Sequence, residues 1–281
     1  MPRTLTDDLG QPVELPDAPV RRVVSLVPSL TEAIAAARVE ALVGATDWCT
    51  HPADLDVPRV RGTKNPDRAA IAALAPELVV AVQEENRELD VRRLRAAGIK
   101  VWVSVIESVP QALTAMRHLF TEVLGWGAPG WLEQVEGLWG SPELPPVRAS
   151  VAVPIWRDPW MVVGARTFTT DLLTRAGLRN VYADHEERYP HVELAALDAA
   201  GADVVLLPDE PYEFSAGDGP EAFARTPTQL VSGRLLTWYG PSMVQAWEAL
   251  STIGPSTPST PSGPEPGQAL IRPRSGRAFR T

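Results

Sequence analysis

The chain has 281 residues, 44% of them apolar and 22% charged, with 28 Pro, 20 Gly, nine Trp and one Cys, a composition that suits a globular protein with room for two lobes of roughly 100 residues. No run approaches the roughly 20 apolar residues of a membrane-spanning helix, and a single cysteine cannot form a disulfide within the chain. The net charge of −9 argues against a nucleic-acid binder, which needs a basic face to neutralise phosphates.

The opening residues pair as a small hairpin, Thr4–Thr6 with Pro12–Leu15, around the turn Asp7-Asp8-Leu9-Gly10. The apolar run from Arg22 to Val27 predicts a strand buried on both faces, leading into Pro28-Ser29 and a helix to Ala37. Ser29 is the expected N-cap of that helix, with Glu32 as its capping-box partner. Strands follow at 41–46, 78–82 and 100–106, and helices at 68–74 and 87–97, the latter closed by Gly98. The middle of the chain reads as helix over 109–124 and again over 129–139, a short connection that contains Gly130 and Gly137. Beyond Pro145-Pro146, strands are expected at 149–155, 161–163, 204–207 and 235–238, and helices at 169–176, 193–199 and 242–250. The expected fold class is α/β: two Rossmann-like βα lobes with parallel-rich sheets, joined by a helical connection, with a ligand cleft between them. The lobes are assigned to residues 1–107 and 148–253, the connection to 108–147, and a disordered Pro/Ser/Thr/Gly-rich tail to 254–281.

Common catalytic and nucleotide signatures are missing: no glycine-rich phosphate loop follows the first strand, and no G-x-S-x-G or H-E-x-x-H occurs. A closed zinc site needs four nitrogen or sulfur ligands at short spacings. Cys49 with His51 falls short of that, and His185 and His191 read as members of a solvated loop.

Polar and aromatic clusters do stand at strand ends, where open α/β sheets bind ligands. The first lobe offers Pro28, Ser29, Trp48, Thr63, Lys64, Asn65, Glu84, Glu85 and Asn86; the second offers Trp156, Arg157, Trp160, Arg166, Tyr212, Trp238 and Tyr239. Indole walls and orienting polar groups suit a large, flat, partly polar molecule. Trp156, Trp160, Trp238 and Tyr239 are expected to wall its plane, with Trp48 a further cleft candidate. Lys64, Asn65, Arg157 and Arg166 are expected to meet its amides or carboxylates. Trp102, Trp126, Trp131, Trp139 and Trp247 lie inside strand or helix patterns and are assigned to packing.

The order of several segments resembles the class III substrate-binding proteins of cobalamin, haem and iron-siderophore ABC importers, and their cobalamin-binding branch most. The segments are Asp7 to Gly10, Arg22 to Glu32, Leu42 to Gly44, Ile71 to Val80, Leu94 to Val101 and Asp198 to Leu207. The resemblance implies a non-enzymatic, monomeric, bilobal receptor with little hinge motion. It requires no cofactor and holds cobalamin or another corrinoid between its lobes, with an iron-siderophore or haem as the alternative. It places an aromatic contact on Trp238 and polar turns on Thr63 to Asn65 and Glu84 to Asn86, and His51 or Cys49 within reach of a metal's axial position. It also implies an ABC permease as partner, with Asp67 as a docking acid in the first lobe and no acidic counterpart after Trp238. The first residues lack a basic and apolar export signal, so the sequence as written reads as cytoplasmic, and as extracytoplasmic if a signal precedes it. The competing class is a cytoplasmic enzyme or metal-handling protein on the same fold, using Cys49, His51, Glu84 and Glu85.

Overall fold

The computed structural model describes residues 3–254. The expected hairpin is present as β1 (Arg3–Thr6) and β2 (Pro12–Leu15), paired antiparallel. Its turn is organised by Asp7, 3% exposed, whose carboxylate accepts from the N–H groups of Leu9 and Gln11 and pairs with Arg95.

The first lobe then alternates strand and helix: β3 (Val23–Ser25), α1 (Pro28–Arg38), β4 (Leu42–Ala45), α2 (Arg68–Ala73), β5 (Leu78–Val82), α3 (Glu88–Ala96) and β6 (Val101–Ser104). The four strands form one parallel sheet in the order β4-β3-β5-β6. All five residues of β5 are buried, because helices cover both faces of the sheet. Successive side chains of a strand point to opposite faces, so Leu78, Val80 and Val82 join the main core while Val79 and Ala81 join a second cluster with Ile71, Val91 and Leu94.

Two helices follow, α4 (Val109–His118), extended by a π-helical turn over Leu119–Val123, and α5 (Gly130–Trp139). The second lobe contains β7 (Ala149–Ala152), the hairpin β8 (Pro154–Trp156) and β9 (Met161–Val162), α6 (Phe168–Arg175), β10 (Leu178–Asn180), α7 (Leu194–Leu197), β11 (Val204–Pro208), β12 (Thr228–Val231), α8 (Gly233–Thr237) and α9 (Ser242–Ser251). Its parallel sheet has the order β10-β7-β11-β12. Alternation recurs in β11: Val204 and Leu206 enter the main core, and Val205 and Leu207 pack with Trp160 and Phe214. The main core runs without a break from Val80 and Trp102 through Met116, Phe120 and Trp139 to Val151 and Leu206. The connecting helices are therefore structural members of both lobes.

Two expectations are corrected, and two strands are added. Ser29 is not an N-cap: Val27 holds that position with no side-chain bond, Pro28 opens α1 with its φ already suited to a helix, and Glu32 pairs instead with Arg234 of the second lobe. The run 235–238 is not a strand; Leu235 and Leu236 lie in the single turn of α8. The edge strands β10 and β12 were not anticipated. β12 is at most half-buried along its length, so it carries no continuous apolar signal, whereas a short apolar run such as 235–238 suits strand and buried helix equally. The segment 254–281, expected to be disordered, lies outside the described residues except for Gly254.

Candidate functional site

Residues that follow the carboxyl ends of both sheets meet at the boundary between the lobes, the position open parallel sheets offer to a ligand. From the first lobe come the residues after β3 (Pro28, Ser29), β4 (Thr46 to His51), β5 (Glu84, Glu85) and β6 (Glu107); from the second come those after β10 (Arg188, Tyr189), β11 (Glu210) and β12 with α8 (Trp238, Tyr239).

Local hydrogen bonds hold these loops. Arg59 Nη1 donates to the carbonyls of Thr46 (3.1 Å) and Cys49 (2.8 Å), and Nη2 donates to that of Leu55 (3.1 Å), fixing the loop that carries His51. Asn86 Oδ1 accepts from Val82 N–H (2.9 Å), while Nδ2 donates to the carbonyls of Leu26 (3.3 Å) and Thr63 (3.0 Å). One buried amide thus ties together the ends of β3 and β5 and the turn before α2, and Asn86 and Thr63 act in positioning that turn. Asp67 caps α2 by accepting from the N–H groups of Ala69 and Ala70, both at 3.0 Å.

Across the cleft the lobes touch directly. The His51 and Trp238 rings stand edge to face with centroids 5.4 Å apart. Arg188 bridges Glu84 (2.8 Å) and Glu107 (2.5 Å), the Tyr189 hydroxyl donates to Glu84, and Arg234 pairs with Glu32. Gly240, at φ 136°, carries the chain so close to α1 that a Cβ there would stand 3.3 Å from Ala33 Cβ. Gly233 performs a similar service for Glu210: a Cβ would come within 2.4 Å of Glu210 Cγ.

The electrostatics of this cleft are acidic. Burial, aided by the neighbouring Glu84 and Glu210 carboxylates and opposed by Lys64, pushes the Glu85 carboxyl up to about 7. Burial raises Glu210 as well, against its hydrogen bonds with Trp238 and Thr237. Tyr239 is raised by its burial and by Glu85 and Glu84. Its hydroxyl and that of the adjacent Ser29 are enclosed, and the Ser29 hydroxyl interacts with it and opposes that rise.

The structure therefore brings together Pro28, Ser29, His51, Lys64, Glu84, Glu85, Trp238 and Tyr239 from the expected set. Lys64 Nζ donates to the Glu84 carbonyl at 2.7 Å. Trp156, Arg157, Trp160 and Tyr212 form a separate group within the second lobe. Trp160 stacks on Phe214 at 5.8 Å and meets Phe223 edge-on at 5.4 Å, both within its own lobe, so it belongs to that lobe's interior and not to a cleft wall. Arg157 pairs with Asp218 and Glu221, which commits its charge, and Trp156 meets Tyr212 edge-on. Arg166 Nη2 donates to the Glu186 carbonyl (2.8 Å). Trp48 is 66% exposed beside Gly62 and Asn65. Cys49 is wholly buried, its Sγ bonded by the hydroxyls of Thr31 (2.9 Å) and Thr46 (3.1 Å), and burial pushes its thiol up. It cannot reach a metal in the cleft, which leaves His51 as the cleft imidazole. No group of three or more metal-ligating side chains exists among the described residues.

The residues missed from sequence are Glu32, Glu107, Arg188, Tyr189, Glu210 and Arg234. Glu210 was within reach, since it directly follows a strand end; Arg188 and Tyr189 sit in a long loop with no local signal.

No family model matches the chain. It is 29% identical over 191 residues to the vitamin B12-binding proteins of Salmonella choleraesuis (strain SC-B67) and Salmonella typhi, covering 66% of this chain and 70% of each relative. Among solved structures it superposes on the periplasmic vitamin B12 binding protein BtuF of Vibrio cholerae with a TM-score of 0.67 at 18% identity, covering 83% of this chain and 96% of that one. The periplasmic heme-binding protein RhuT of Roseiflexus sp. RS-1 gives 0.70 at 22%, covering 83% and 97%. The chain thus has the bilobal α/β fold of the substrate-binding proteins for cobalamin, haem and iron chelates, and is a sequence relative of the vitamin B12-binding ones.

Proposed function

We propose that the protein is a non-enzymatic receptor that binds a corrinoid of the cobalamin type in the interlobe cleft and delivers it to an ABC permease. The observation that carries this reading is the meeting of strand-end residues from two parallel sheets, where the rings of His51 and Trp238 touch with centroids 5.4 Å apart, in a chain 29% identical to vitamin B12-binding proteins. Trp238, which meets His51 of the other lobe, would provide the flat wall, Lys64 and Glu85 the polar contacts, and His51 the group nearest an axial position, while Tyr239, packed in the main core against Phe168, and the enclosed Ser29 would support that wall from behind. The extracytoplasmic alternative is favoured over the cytoplasmic one, because the solved neighbours are described as periplasmic. The enzyme reading loses ground because Cys49 is sealed between Thr31 and Thr46.

Haem is the second reading, favoured by the TM-score of 0.70 to a heme-binding protein. Calorimetric titration with cyanocobalamin should show one site per chain, and Trp238→Ala should weaken it by about tenfold or more, equivalent to about 1.4 kcal/mol. Absence of heat and of any change in the corrinoid absorption spectrum would refute the corrinoid reading.

A further inference from the structure

The lobes are joined in two different ways at the two sides of their boundary. Elements after β3 of the first sheet and after the β12 edge of the second meet through apolar packing: Leu30, Ala33 and Ile34 of α1 share the main core with Leu236, Tyr239 and Met243. Elements after β5 and β6, and after the opposite edge strand β10, meet through polar groups. Arg188 joins Glu84 at 2.8 Å and Glu107 at 2.5 Å, and the Tyr189 hydroxyl donates to Glu84. The Arg188 and Glu84 side chains are 30% and 29% exposed, so water competes for this contact. Parting the apolar side would instead expose core.

Both halves of the polar contact have fixed backbones. Arg188 and Tyr189 lie in the segment between β10 and α7, which is fastened to β9 and its end: Gly164 N–H donates to the Arg188 carbonyl (2.7 Å) and Val162 N–H to that of Pro190 (3.0 Å). A Cβ at Gly164 would stand 2.4 Å from the Glu187 carbonyl oxygen. On the first lobe, Lys64 Nζ donates to the Glu84 carbonyl (2.7 Å), and Glu107 N–H donates to Gln111 Oε1 (2.8 Å) at the start of α4. The side chains are therefore the parts that can let go. Arg188 Nε is enclosed without a hydrogen-bond partner, a cost that swinging the guanidinium into water removes.

The bridge crosses the boundary beside the proposed ligand contacts, since Glu84 precedes Glu85 in the chain and is held by Lys64. A flat molecule seated between the lobes separates the groups that this bridge ties together. Building on the receptor reading, we propose that Arg188 and Tyr189 form a latch over the ligand site: closed on Glu84 and Glu107 it bars entry, and its release admits the ligand. The apolar side, with Gly240 close against Ala33, stays packed while the latch side opens. The apparent affinity is then the intrinsic affinity reduced by the fraction of molecules whose latch is open.

The test follows association and dissociation of cyanocobalamin, an electrically neutral corrinoid, with the full chain by stopped-flow spectroscopy. Arg188→Met keeps the stem of the side chain and removes its charge; Glu107→Gln removes one catch at a residue outside the proposed contacts. Association should quicken by about fivefold or more in Arg188→Met and about twofold or more in Glu107→Gln, with affinity rising in proportion and dissociation little changed. Raising the salt from about 50 mM to about 500 mM should quicken association in the wild type by about twofold and leave Arg188→Met unmoved. If Arg188→Met does not fold, Glu107→Gln and the salt series decide the matter. Binding by the variants where the wild type shows none supports the latch. Association unmoved or slowed in every folded variant overturns it. If neither the wild type nor any variant binds cyanocobalamin, the corrinoid reading fails and the latch with it, an outcome distinct from equal rates.

Discussion

Replacing Glu85 by Gln should stabilise the ligand-free protein, and only above a defined pH. In the folded chain its carboxyl titrates at about 7, against an ordinary value of 4.5, because burial disfavours the charge and Glu84 adds to it. Between those two values the folded state keeps a proton that the unfolded chain has released, so the group's contribution to stability declines as pH rises through the window. A difference of about 2.5 pK units corresponds to about 3 kcal/mol at full strength, and solvent at this partly exposed side chain reduces the expected effect to about 2 kcal/mol. The amide keeps the shape and carries no charge to desolvate. The Gln variant should therefore match the wild type below about pH 4.5, gain progressively up to about pH 7, and hold a constant advantage beyond. At about pH 8 that advantage should raise Tm by roughly 4–8 °C. Urea denaturation followed by Trp fluorescence at several pH values measures the difference. Comparing the two proteins at each pH cancels groups of opposite sign, such as Asp203, which the N–H and hydroxyl of Ser150 hold below its ordinary value. A constant difference at all pH values, or destabilisation at about pH 8, would refute the reasoning.

Two further outcomes follow from the packing of the loops. Asn86→Ala removes three hydrogen bonds at a buried site; chemical denaturation should show a loss of about 2–3 kcal/mol, and proteolysis should cut first in the 62–66 turn. A loss under about 0.5 kcal/mol would mean that water replaces the amide at no cost. Cys49, buried and bonded to Thr31 and Thr46, should resist a thiol reagent in the native protein and react once urea unfolds it. Rapid native reaction would show that the thiol is open to the cleft.

Much of the frame was legible in the chain itself. The apolar run of β5, the glycine stop at Gly98 after α3 and the proline-opened helices are local signals, readable because strand, helix and turn each impose a short-range pattern. They were sufficient for two βα lobes and for the rule that puts a site at strand ends. Arg157 shows where local reading stops: beside Trp156 at a strand end it looked like a ligand contact, yet Asp218 and Glu221, more than 60 positions onward, take its charge. Trp160 likewise stands at the start of a strand but stacks inward on Phe214.

By itself, then, the sequence determined the periodicities, the lobe pattern and the short list of polar and aromatic groups at strand ends. Tertiary structure alone decided which of those groups share a cleft. It joined His51 to Trp238, Glu84 to Arg188 and Glu32 to Arg234, the last pair separated by 202 positions. The physical reason is that burial and charge partnership are properties of space: the Glu85 carboxyl holds its proton more tightly because the fold buries it and brings Glu210 of the other lobe near, and nothing in their spacing along the chain encodes that distance.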